Sequence, residues 1–530
     1  MMTKKLVLQG IDNFKKFKDN NGYKEDKFKI VVIALVLLKF IVHILTANGY
    51  GYFIDELYTL ALSKHLAFGY VDLPPIVPAI LAVSRNIFGE SLFALHIIPA
   101  MAGAATVTFV CMITREMGGK LFAACVSGLA FIAAPVWLTM NSFFAYDGFD
   151  QLILSVFLFF LIRFIKSENR RLWIPLGLTA GLAVMTKTTI LFYGLGFLIA
   201  LILFKHSTHL NSKWPWFGLG AFLIIISPYI IWQLVNGWPT LDYWTTYKAV
   251  RTYKASIIEY LINIIIIMNP FTLPLWLSGI YKIVFDKTQK YLRFFGVMFF
   301  VSLLVLFLLD AKSYMLSALF IPLYSAGAVF LEEKLAIKNR KALKISFVSY
   351  ILITGLALAP AAIPILSPDQ LTVYFNMFGM INKSVTFDKL PKACFPQTLA
   401  DRFGWDNMVY TVNKVYQGLP EVDRNKCRIF AGYYGAAGAI DLLGKKYGLP
   451  NAMSGHLTYY LWGPGDFSGE VMISIGVPEQ TLKLYFDEVS QKDIIISEYT
   501  MPYNTFIPVY VCRNLKVKVK DFWADFRYLG

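Results

Sequence analysis

The sequence predicts an α-helical polytopic membrane protein whose last third is a separate α/β or α+β domain. Hydrophobic residues make up 57% of the 530 residues and charged residues 16%, whereas soluble globular chains are nearer half apolar and a quarter charged. Apolar segments long enough to span a bilayer recur up to residue 366. These observations predict three regions: an N-terminal tail, 1–29; a transmembrane region, 30–366; and an extracytoplasmic domain, 367–530.

The transmembrane region contains about eleven apolar segments that are candidate spans. Some of them are short, so their assignment depends on their neighbours and on the charges of the loops. The predicted spans are 30–46, 92–114, 121–138, 149–166, 172–186, 188–204, 215–233, 257–281, 294–309, 315–331 and 345–366.

Basic residues concentrate in alternate loops, such as 163–171, 287–293 and 332–344. Cytoplasmic loops are enriched in Lys and Arg, so the N-terminus is predicted to lie in the cytoplasm. An odd number of spans then places residues 367–530 on the outer side. The formal net charge of +16 is explained by these loops, and nucleic acid is not an expected partner. The Lys-rich N-terminus lacks the pattern of a cleaved signal peptide.

The sequence after Pro368 alternates short β-branched runs with turn signals, which is typical of strands and helices in a compact domain. Its cysteines show no spacing that suggests a zinc site. The predicted strands are Cys427–Ala431, Val471–Ile475, 493–497 and 507–512, and a helix is predicted over 436–447 after a glycine-rich turn.

Asp55 and Glu56 are adjacent carboxylates about ten residues beyond the first span. Partial burial at a membrane interface raises a carboxyl pKa toward neutrality, which suits a general base. Carboxylates can also bind a divalent cation. The alternative is a solvated acidic pair at the start of a helix, where negative charge is favourable.

Asp72 lies in the same long loop, directly before Leu73-Pro74-Pro75. Paired prolines hold the backbone extended and prevent a helix, so they are expected to fix Asp72 near Asp55. A metal ion held by Asp55 and Asp72 is one possibility, and an ordinary loop between two interfacial helices is the other.

Further charged residues lie at the same predicted membrane face. Asp147 begins an apolar segment, where it is either a helix cap or a functional group, because ionisable residues at membrane depth are costly. Lys187 and Lys312 stand at the ends of spans and could meet a lipid phosphate, or extend to the interface. Arg85 is a weaker candidate of the same kind, and His65 is the histidine nearest the acids.

Several motifs together resemble bacterial members of the protein mannosyltransferase-like family, the glycosyltransferase family 39 group related to aminoarabinose transferases. These motifs are Asp55-Glu56, the run Gly-Tyr-Val-Asp-Leu-Pro-Pro ending at Pro75, Asp147, Thr186-Lys187 and Lys312-Ser-Tyr314. The resemblance covers about residues 30–365. The chain departs from the family at His96, where relatives often carry Arg, and at Thr188-Thr189, where many have Gly or Pro.

The resemblance implies a GT-C fold and an inverting transfer from a polyprenyl-phosphate-linked sugar to an extracytoplasmic lipid, protein or glycan. It also implies a bacterial inner membrane location. Asp55 matches the catalytic acid of the family, and Glu56 is its neighbour in the motif. Asp72 matches the acidic position before the prolines, and Lys187 matches a basic position near the donor phosphate. No cofactor is required by these matches, although a divalent metal ion is left open.

Two other classes of protein fit a chain with many spans. A transporter or flippase of a lipid-linked saccharide would more often show internal repeats and broken helices at the midplane, and neither is visible in the sequence. A non-catalytic receptor or scaffold would use the C-terminal domain for binding and the helices only to hold it in the membrane.

Overall fold

A computed structural model describes residues 25–167, 169–204, 210–336, 340–381 and 387–529. Most of the predicted N-terminal tail, residues 1–24, lies outside these described residues. The helices before residue 367 are α1 (Glu25–Leu45), α2 (Ile54–Lys64), α3 (Ile76–Phe88), α4 (Leu92–Glu116), α5 (Leu121–Ile132), α6 (Pro135–Met140), α7 (Tyr146–Ser167), α8 (Trp173–Thr186), α9 (Thr189–Leu203), α10 (Lys213–Val235), α11 (Pro239–Val250), α12 (Ile257–Ile267), α13 (Leu273–Phe285), α14 (Arg293–Leu308), α15 (Phe320–Ala336) and α16 (Lys341–Leu358).

Seven helices among the described residues are long and apolar enough to cross a membrane, judged by length and composition. The helices α12 and α13 together pass the same test, but they meet at a bend of 92°, so the count rises to eight if this pair is one span. The predicted count of about eleven is therefore not confirmed. The predicted spans over α5, α8 and α9 form helices of 12, 14 and 15 residues, shorter than the roughly 20 residues that cross a bilayer upright.

The apolar surface of the helices is consistent with a membrane protein. Leu45, Ile224 and Leu356 have 80%, 74% and 74% of their surfaces exposed, and such side chains need a hydrocarbon environment. Inside the bundle, small residues allow close packing. A Cβ atom on Gly177 of α8 would lie only 1.9 Å from the carbonyl oxygen of Gly218 in α10, so these two helices are in backbone contact.

The rest of the chain forms a five-stranded sheet with surrounding helices. Its elements are α17 (Pro368–Met377), α18 (Gln397–Ala400), α19 (Trp405–Gln417), α20 (Glu421–Lys426), β1 (Cys427–Ala431), α21 (Tyr434–Leu443), β2 (Ala452–Met453), α22 (Thr458–Trp462), β3 (Val471–Ile475), α23 (Glu479–Tyr485), β4 (Phe486–Ile496), β5 (Phe506–Leu515) and α24 (Val519–Asp525).

The strand order is β2-β1-β3-β5-β4, with β2, β1 and β3 parallel and β5 antiparallel to both of its neighbours. The bounds predicted for β1 and β3 are confirmed. Both are almost fully buried runs of apolar residues, and such runs are easy to recognise. The strands β4 and β5 are longer than predicted, because most of β4 is exposed or half-buried and includes charged residues, and β5 is partly exposed toward both ends.

The sheet region packs directly on the first loop of the transmembrane region. Helix α21 lies against α2, and Ile54 and Leu57 of α2 share one buried core with Ala436 and Ile440 of α21. The loop that was predicted to carry the acidic residues is therefore covered by the sheet region.

Candidate functional site

Asp55 lies in the first turn of α2 and points toward the sheet region. Its Oδ1 atom accepts a hydrogen bond of 2.8 Å from the Tyr434 hydroxyl, at the start of α21. Burial raises the pKa of Asp55 to about 6, and the positive charge of Lys312 acts in the opposite direction. A carboxyl group with this pKa is mostly ionised at neutral pH and is a stronger base than an exposed one.

Glu56 points to a different side of α2 and is fully buried. Its Oε2 accepts from the Phe53 amide at 2.8 Å, and its Oε1 lies 2.6 Å from the Phe144 amide and 2.8 Å from His96 Nε2. The other ring nitrogen of His96 is 2.6 Å from the Ala47 carbonyl oxygen. Burial would raise the pKa of Glu56, but its partners outweigh burial and lower it. Glu56 thus joins α2 to α4 and does not reach the space beside Asp55.

Asp72 lies close to Asp55 in the loop before α3. Its Oδ1 is 2.8 Å from the Tyr58 hydroxyl, which in turn is 2.7 Å from Thr458 Oγ1 of α22. Burial and, to a smaller extent, the charge of Asp55 raise the pKa of Asp72 to about 7, while the Tyr58 hydrogen bond acts in the opposite direction. The sheet region therefore contacts the hydrogen-bond partner of this acid, and Thr458 Oγ1 also accepts from the Val71 amide.

Lys187 and Asp147 form a pair at the ends of α8 and α7. Lys187 Nζ is 2.5 Å from Asp147 Oδ1, and both side chains are nearly buried. The ammonium group also lies 4.6 Å from the ring centre of Tyr146 and 4.8 Å from that of Tyr314. Two aromatic faces and a carboxylate surround this cation, which is a cation–π arrangement.

Lys312 forms a second pair, with a residue that the sequence did not reveal. Its Nζ is 2.9 Å from Asp388 Oδ2, and Tyr247 of α11 donates to the other oxygen of Asp388. Asp388 also pairs with Thr252 through a backbone bridge. The stretch after α17 therefore returns to the membrane region and meets the loop after α11.

These groups act on one another through their charges. Lys312, Asp147 and Asp388 all influence the proton affinity of Asp55, and Asp55 influences that of Asp72. Five of the predicted site residues and the unpredicted Asp388 are thus linked into one group. We call this set the charged cluster: Asp55, Asp72, Asp147, Lys187, Lys312 and Asp388.

His65 and Arg85, which were also predicted to bind donor or acceptor, lie elsewhere. His65 is exposed at the end of α2 and stacks on Trp462, with ring centres 4.3 Å apart. Arg85 pairs with Glu90 at 3.2 Å, beside Lys64 and Lys445, which contact the same carboxylate. Both residues are near Asp55 in the sequence. In the structure, His65 follows the C-terminal end of α2, whereas Asp55 lies in its first turn.

Other residues near the charged cluster were not predicted. Tyr434 lies in the glycine-rich turn that was recognised in the sequence, whereas no motif around Asp401 indicated a functional residue. Asp401 Oδ1 accepts from Tyr503 at 2.5 Å, and burial raises its pKa to about 7. Arg251 follows α11, and its charge acts on Asp401 and on His456. The aromatic and basic composition of α11 and the residues after it is the sequence feature that could have indicated Arg251.

A resident metal ion needs a set of ligating side chains close together. No group of three or more His, Cys, Asp or Glu side chains in the described residues could hold such an ion. One oxygen of Asp55 and one of Asp72 are already hydrogen-bonded to tyrosine hydroxyls. The alternative in which Asp55 and Asp72 bind a divalent cation therefore does not fit this geometry.

Comparison with known proteins gives a family match and two similar folds. Residues 72–232 match the family model described as dolichyl-phosphate-mannose-protein mannosyltransferase, and the comparison with curated sequences finds no match. The fold is similar to two structures of ArnT from Cupriavidus metallidurans, one bound to undecaprenyl phosphate and one in the apo state. The identities are 13% and 12% and the TM-scores 0.54 and 0.55, and each match covers 91% of this chain and 97% of that chain. The predicted GT-C fold is confirmed, and the predicted family resemblance is found over residues 72–232.

Proposed function

We propose that the chain is a glycosyltransferase of the protein mannosyltransferase-like type that transfers a sugar from a polyprenyl-phosphate-linked donor to an acceptor. The family description includes dolichyl-phosphate-mannose, and one similar structure is bound to undecaprenyl phosphate. Both names support a donor in which the sugar is carried by a prenyl phosphate. In this proposal Asp55 is the general base.

The observation that carries the proposal is the environment of the Asp55 carboxylate, which sets its pKa and leaves one of its oxygens without a side-chain hydrogen bond. Its pKa is about 6, it lies within the field of Lys312, and only its Oδ1 atom accepts a side-chain hydrogen bond from the described residues. The Oδ2 atom is then available for a proton from the acceptor. A base of this kind, beside a cation that can stabilise a leaving anion, suits substitution at an anomeric carbon.

The proposed step balances as a single displacement. The acceptor oxygen forms a bond to the anomeric carbon while the bond from that carbon to the phosphate oxygen breaks. The acceptor proton moves to Asp55 Oδ2, and the bonding electrons leave with the phosphate. Attack from the side opposite the phosphate inverts the anomeric configuration.

Lys312 is the cation best placed to meet the phosphate, because its charge acts on Asp55 directly. Lys187, the position matched by the family resemblance, is held by Asp147 and two tyrosine rings. We assign Lys312 to the leaving phosphate, and Lys187 to the same anion from the other side. Asp147 and Asp388 hold the two cations in place and limit the net charge of the charged cluster.

The prenyl chain requires an apolar surface next to the charged cluster. Helix α3 begins just after Asp72 and forms, with α4, an open apolar groove of about 410 Å³. Its lining contains almost no polar surface, so it suits a hydrocarbon chain at the edge of the bundle. The groove is lined by Ile76, Ala79, Ile80, Val83, Ser84, Ile87, Phe88 and Ile98.

The location proposed for the reaction is the outer face of a bacterial inner membrane. The excess of Lys and Arg in alternate loops supports an N-terminus in the cytoplasm. The charged cluster and the sheet region then lie outside, where an envelope lipid, protein or glycan is the acceptor. Tyr434 and Thr458 of the sheet region contact Asp55 and Tyr58, so the proposed catalytic site includes residues of both 30–366 and 367–530.

The proposal is tested with purified protein, a radiolabelled polyprenyl-phosphate sugar and an extract of envelope acceptors. Asp55→Asn removes the base but keeps the size of the side chain, so we expect transfer to fall at least about 10²-fold. The matched control is Asp406→Asn, since Asp406 also lies in the first turn of a helix but is largely exposed. Normal turnover by folded Asp55→Asn protein would exclude Asp55 as the base.

The sugar and the acceptor are identified by mass spectrometry of prenyl-phosphate sugars, lipid A and glycoproteins from cells with and without the gene. A mass difference of one sugar unit in an acceptor, together with accumulation of the unused donor, is the expected result. Identical envelopes and unchanged donor pools would count against transfer.

A further inference from the structure

Tyr434 is the side chain of the sheet region that contacts Asp55. Its hydroxyl donates to Asp55 Oδ1 at 2.8 Å, across 379 positions of the sequence. Hydrogen bonds to a charged acceptor are stronger than those between neutral groups, and this bond lies in a buried setting where it is poorly screened. The contact thus holds one of the two carboxylate oxygens of the proposed base.

The backbone and ring of Tyr434 are themselves fixed by several contacts. Its amide donates to His456 Nδ1 at 3.4 Å, and its ring packs against those of His456 and Tyr58 at centre distances of 5.1 Å and 4.9 Å. Burial and the charge of Arg251 lower the pKa of His456 to about 3, so this imidazole is neutral and its Nδ1 can accept. The Tyr434 hydroxyl therefore has little freedom to turn away from Asp55.

The helix that carries Tyr434 is also pressed against the helix that carries Asp55. A Cβ atom on Gly438 would lie 2.6 Å from the Leu57 carbonyl oxygen, so α21 and α2 are in backbone contact near Tyr434. The distance between the phenol and the carboxylate is set by this helix pair, and both helices belong to one buried core.

We propose that Tyr434 is a positioning residue for Asp55, so that the sheet region completes the reaction site. Tyr434 holds Asp55 Oδ1 and thereby directs Oδ2 toward the acceptor. It also stabilises the ionised carboxylate relative to the protonated one. This inference rests on the proposed function, in which Asp55 is the base.

The pH dependence of the reaction depends on every ionisable group that faces Asp55. These groups come from the first loop, α7, the loop before α15, the segment after α17 and the sheet region. They are Asp72, Asp147, Tyr146, Lys312, Asp388 and Asp401, in addition to Tyr434.

The test is Tyr434→Phe, which removes one hydroxyl and keeps the ring. We expect kcat to fall about 10- to 100-fold, which corresponds to the loss of a hydrogen bond to a charged group. The KM for the prenyl-phosphate sugar should stay within about twofold of that of the wild type, because the Tyr434 hydroxyl bonds to Asp55, whereas the proposed phosphate ligand Lys312 is held by Asp388. Without its donor, the Asp55 carboxylate binds a proton more readily, so the acidic limb of the pH–rate profile should move to higher pH.

The matched control is Tyr433→Phe in the same turn. The Tyr433 hydroxyl hydrogen-bonds to the neutral side chain of Asn504 and not to Asp55, so this variant should lose a tyrosine hydrogen bond without any shift of the acidic limb. Incorporation of 3-fluorotyrosine at position 434 covers the case in which Tyr434→Phe does not fold. Its more acidic phenol is a better donor, and the limb should then move to lower pH.

The outcomes separate this inference from the proposed function. If Asp55→Asn retains transfer, the proposed function fails. If Asp55→Asn is inactive while the position 434 variants keep the kcat and acidic limb of the wild type, the positioning role alone is wrong.

Discussion

Asp55 and Glu56 show how two neighbouring carboxylates in a helix acquire different environments. Successive residues of a helix point about 100° apart, so Asp55 faces α21 while Glu56 faces α4. The sequence could identify the acidic pair, but the direction of each side chain depends on which helices pack around α2. His96 is informative in retrospect, because a departure from the family at that position coincides with the partner of Glu56.

Glu56→Gln should destabilise the protein through its buried contacts. It leaves His96 and the Phe144 amide with a neutral partner, and a hydrogen bond to a charged group contributes about 1.5–3 kcal/mol. The thermal unfolding midpoint in detergent should fall clearly. Glu90→Gln is the control, since Glu90 is partly exposed and its pairs with Lys64, Arg85 and Lys445 should contribute about 1 kcal/mol or less. Equal midpoints for the two variants would show that Glu56 is not a structural residue.

The wild-type transfer rate should depend on the protonation of Asp55. Burial raises the pKa of Asp55 to about 6, so the proposed base is ionised above this value and becomes protonated as the pH falls through it. We expect kcat/KM to be constant near neutrality and to fall about tenfold per pH unit below about pH 6. Rates measured from pH 4.5 to 8 test this, and a rate that rises toward pH 4.5 would contradict it.

At the scale of elements, continuous apolar runs were predictable and breaks within them were not. The window 257–281 contains Asn269, whose backbone φ is +67° and whose side chain donates to the Ala133 carbonyl oxygen at 3.1 Å. This buried residue separates α12 from α13, and the 92° bend follows. Average hydropathy over a window cannot detect a bend that a single polar residue and a distant carbonyl define.

The docking of α21 on α2 gives a prediction about these two helices. Gly438→Ala would place a methyl group 2.6 Å from the Leu57 carbonyl oxygen, so the helices must separate and the Tyr434–Asp55 bond must lengthen. We expect sugar transfer to fall strongly even at temperatures at which the variant is still folded, as judged by its thermal unfolding midpoint. Gly220→Ala in α10 is the control, because nothing lies within 4 Å of its added Cβ atom and alanine favours a helix. Full activity of Gly438→Ala would show that the helix contact is not needed.

At the scale of the whole molecule, the sequence predicted helices followed by a sheet region, but not how the two parts meet. Asp388 and Tyr434 belong to the predicted outer domain, yet they contact Lys312 and Asp55 of the transmembrane region. Contacts between residues this far apart in a single sequence leave no local pattern. The charged residues near the membrane were therefore predictable as a group, whereas their partners from the sheet region were not.

The predicted orientation can be tested with a native cysteine. Cys394 is exposed, while Cys111, Cys427 and Cys512 are buried and Cys125 is partly buried. A membrane-impermeant maleimide should label Cys394 in spheroplasts with intact inner membranes, and Cys394→Ser should abolish the signal. Thr288→Cys in the Cys394→Ser background should react only after permeabilisation, because Thr288 is exposed at the opposite end of α14 from Lys312. The reverse pattern would place the charged cluster in the cytoplasm.

The pairing of both lysines with carboxylates has a consequence for turnover. Lys187 and Lys312 are each compensated by an aspartate, so an arriving anion must compete with Asp147 and Asp388. A donor phosphodiester carries one negative charge, whereas the released prenyl monophosphate carries up to two near neutral pH. The spent carrier should therefore bind more tightly than the fresh one, and its departure should limit the steady-state rate. A burst of one sugar transferred per enzyme, followed by a slower phase that added prenyl monophosphate suppresses, is the expected kinetic signature.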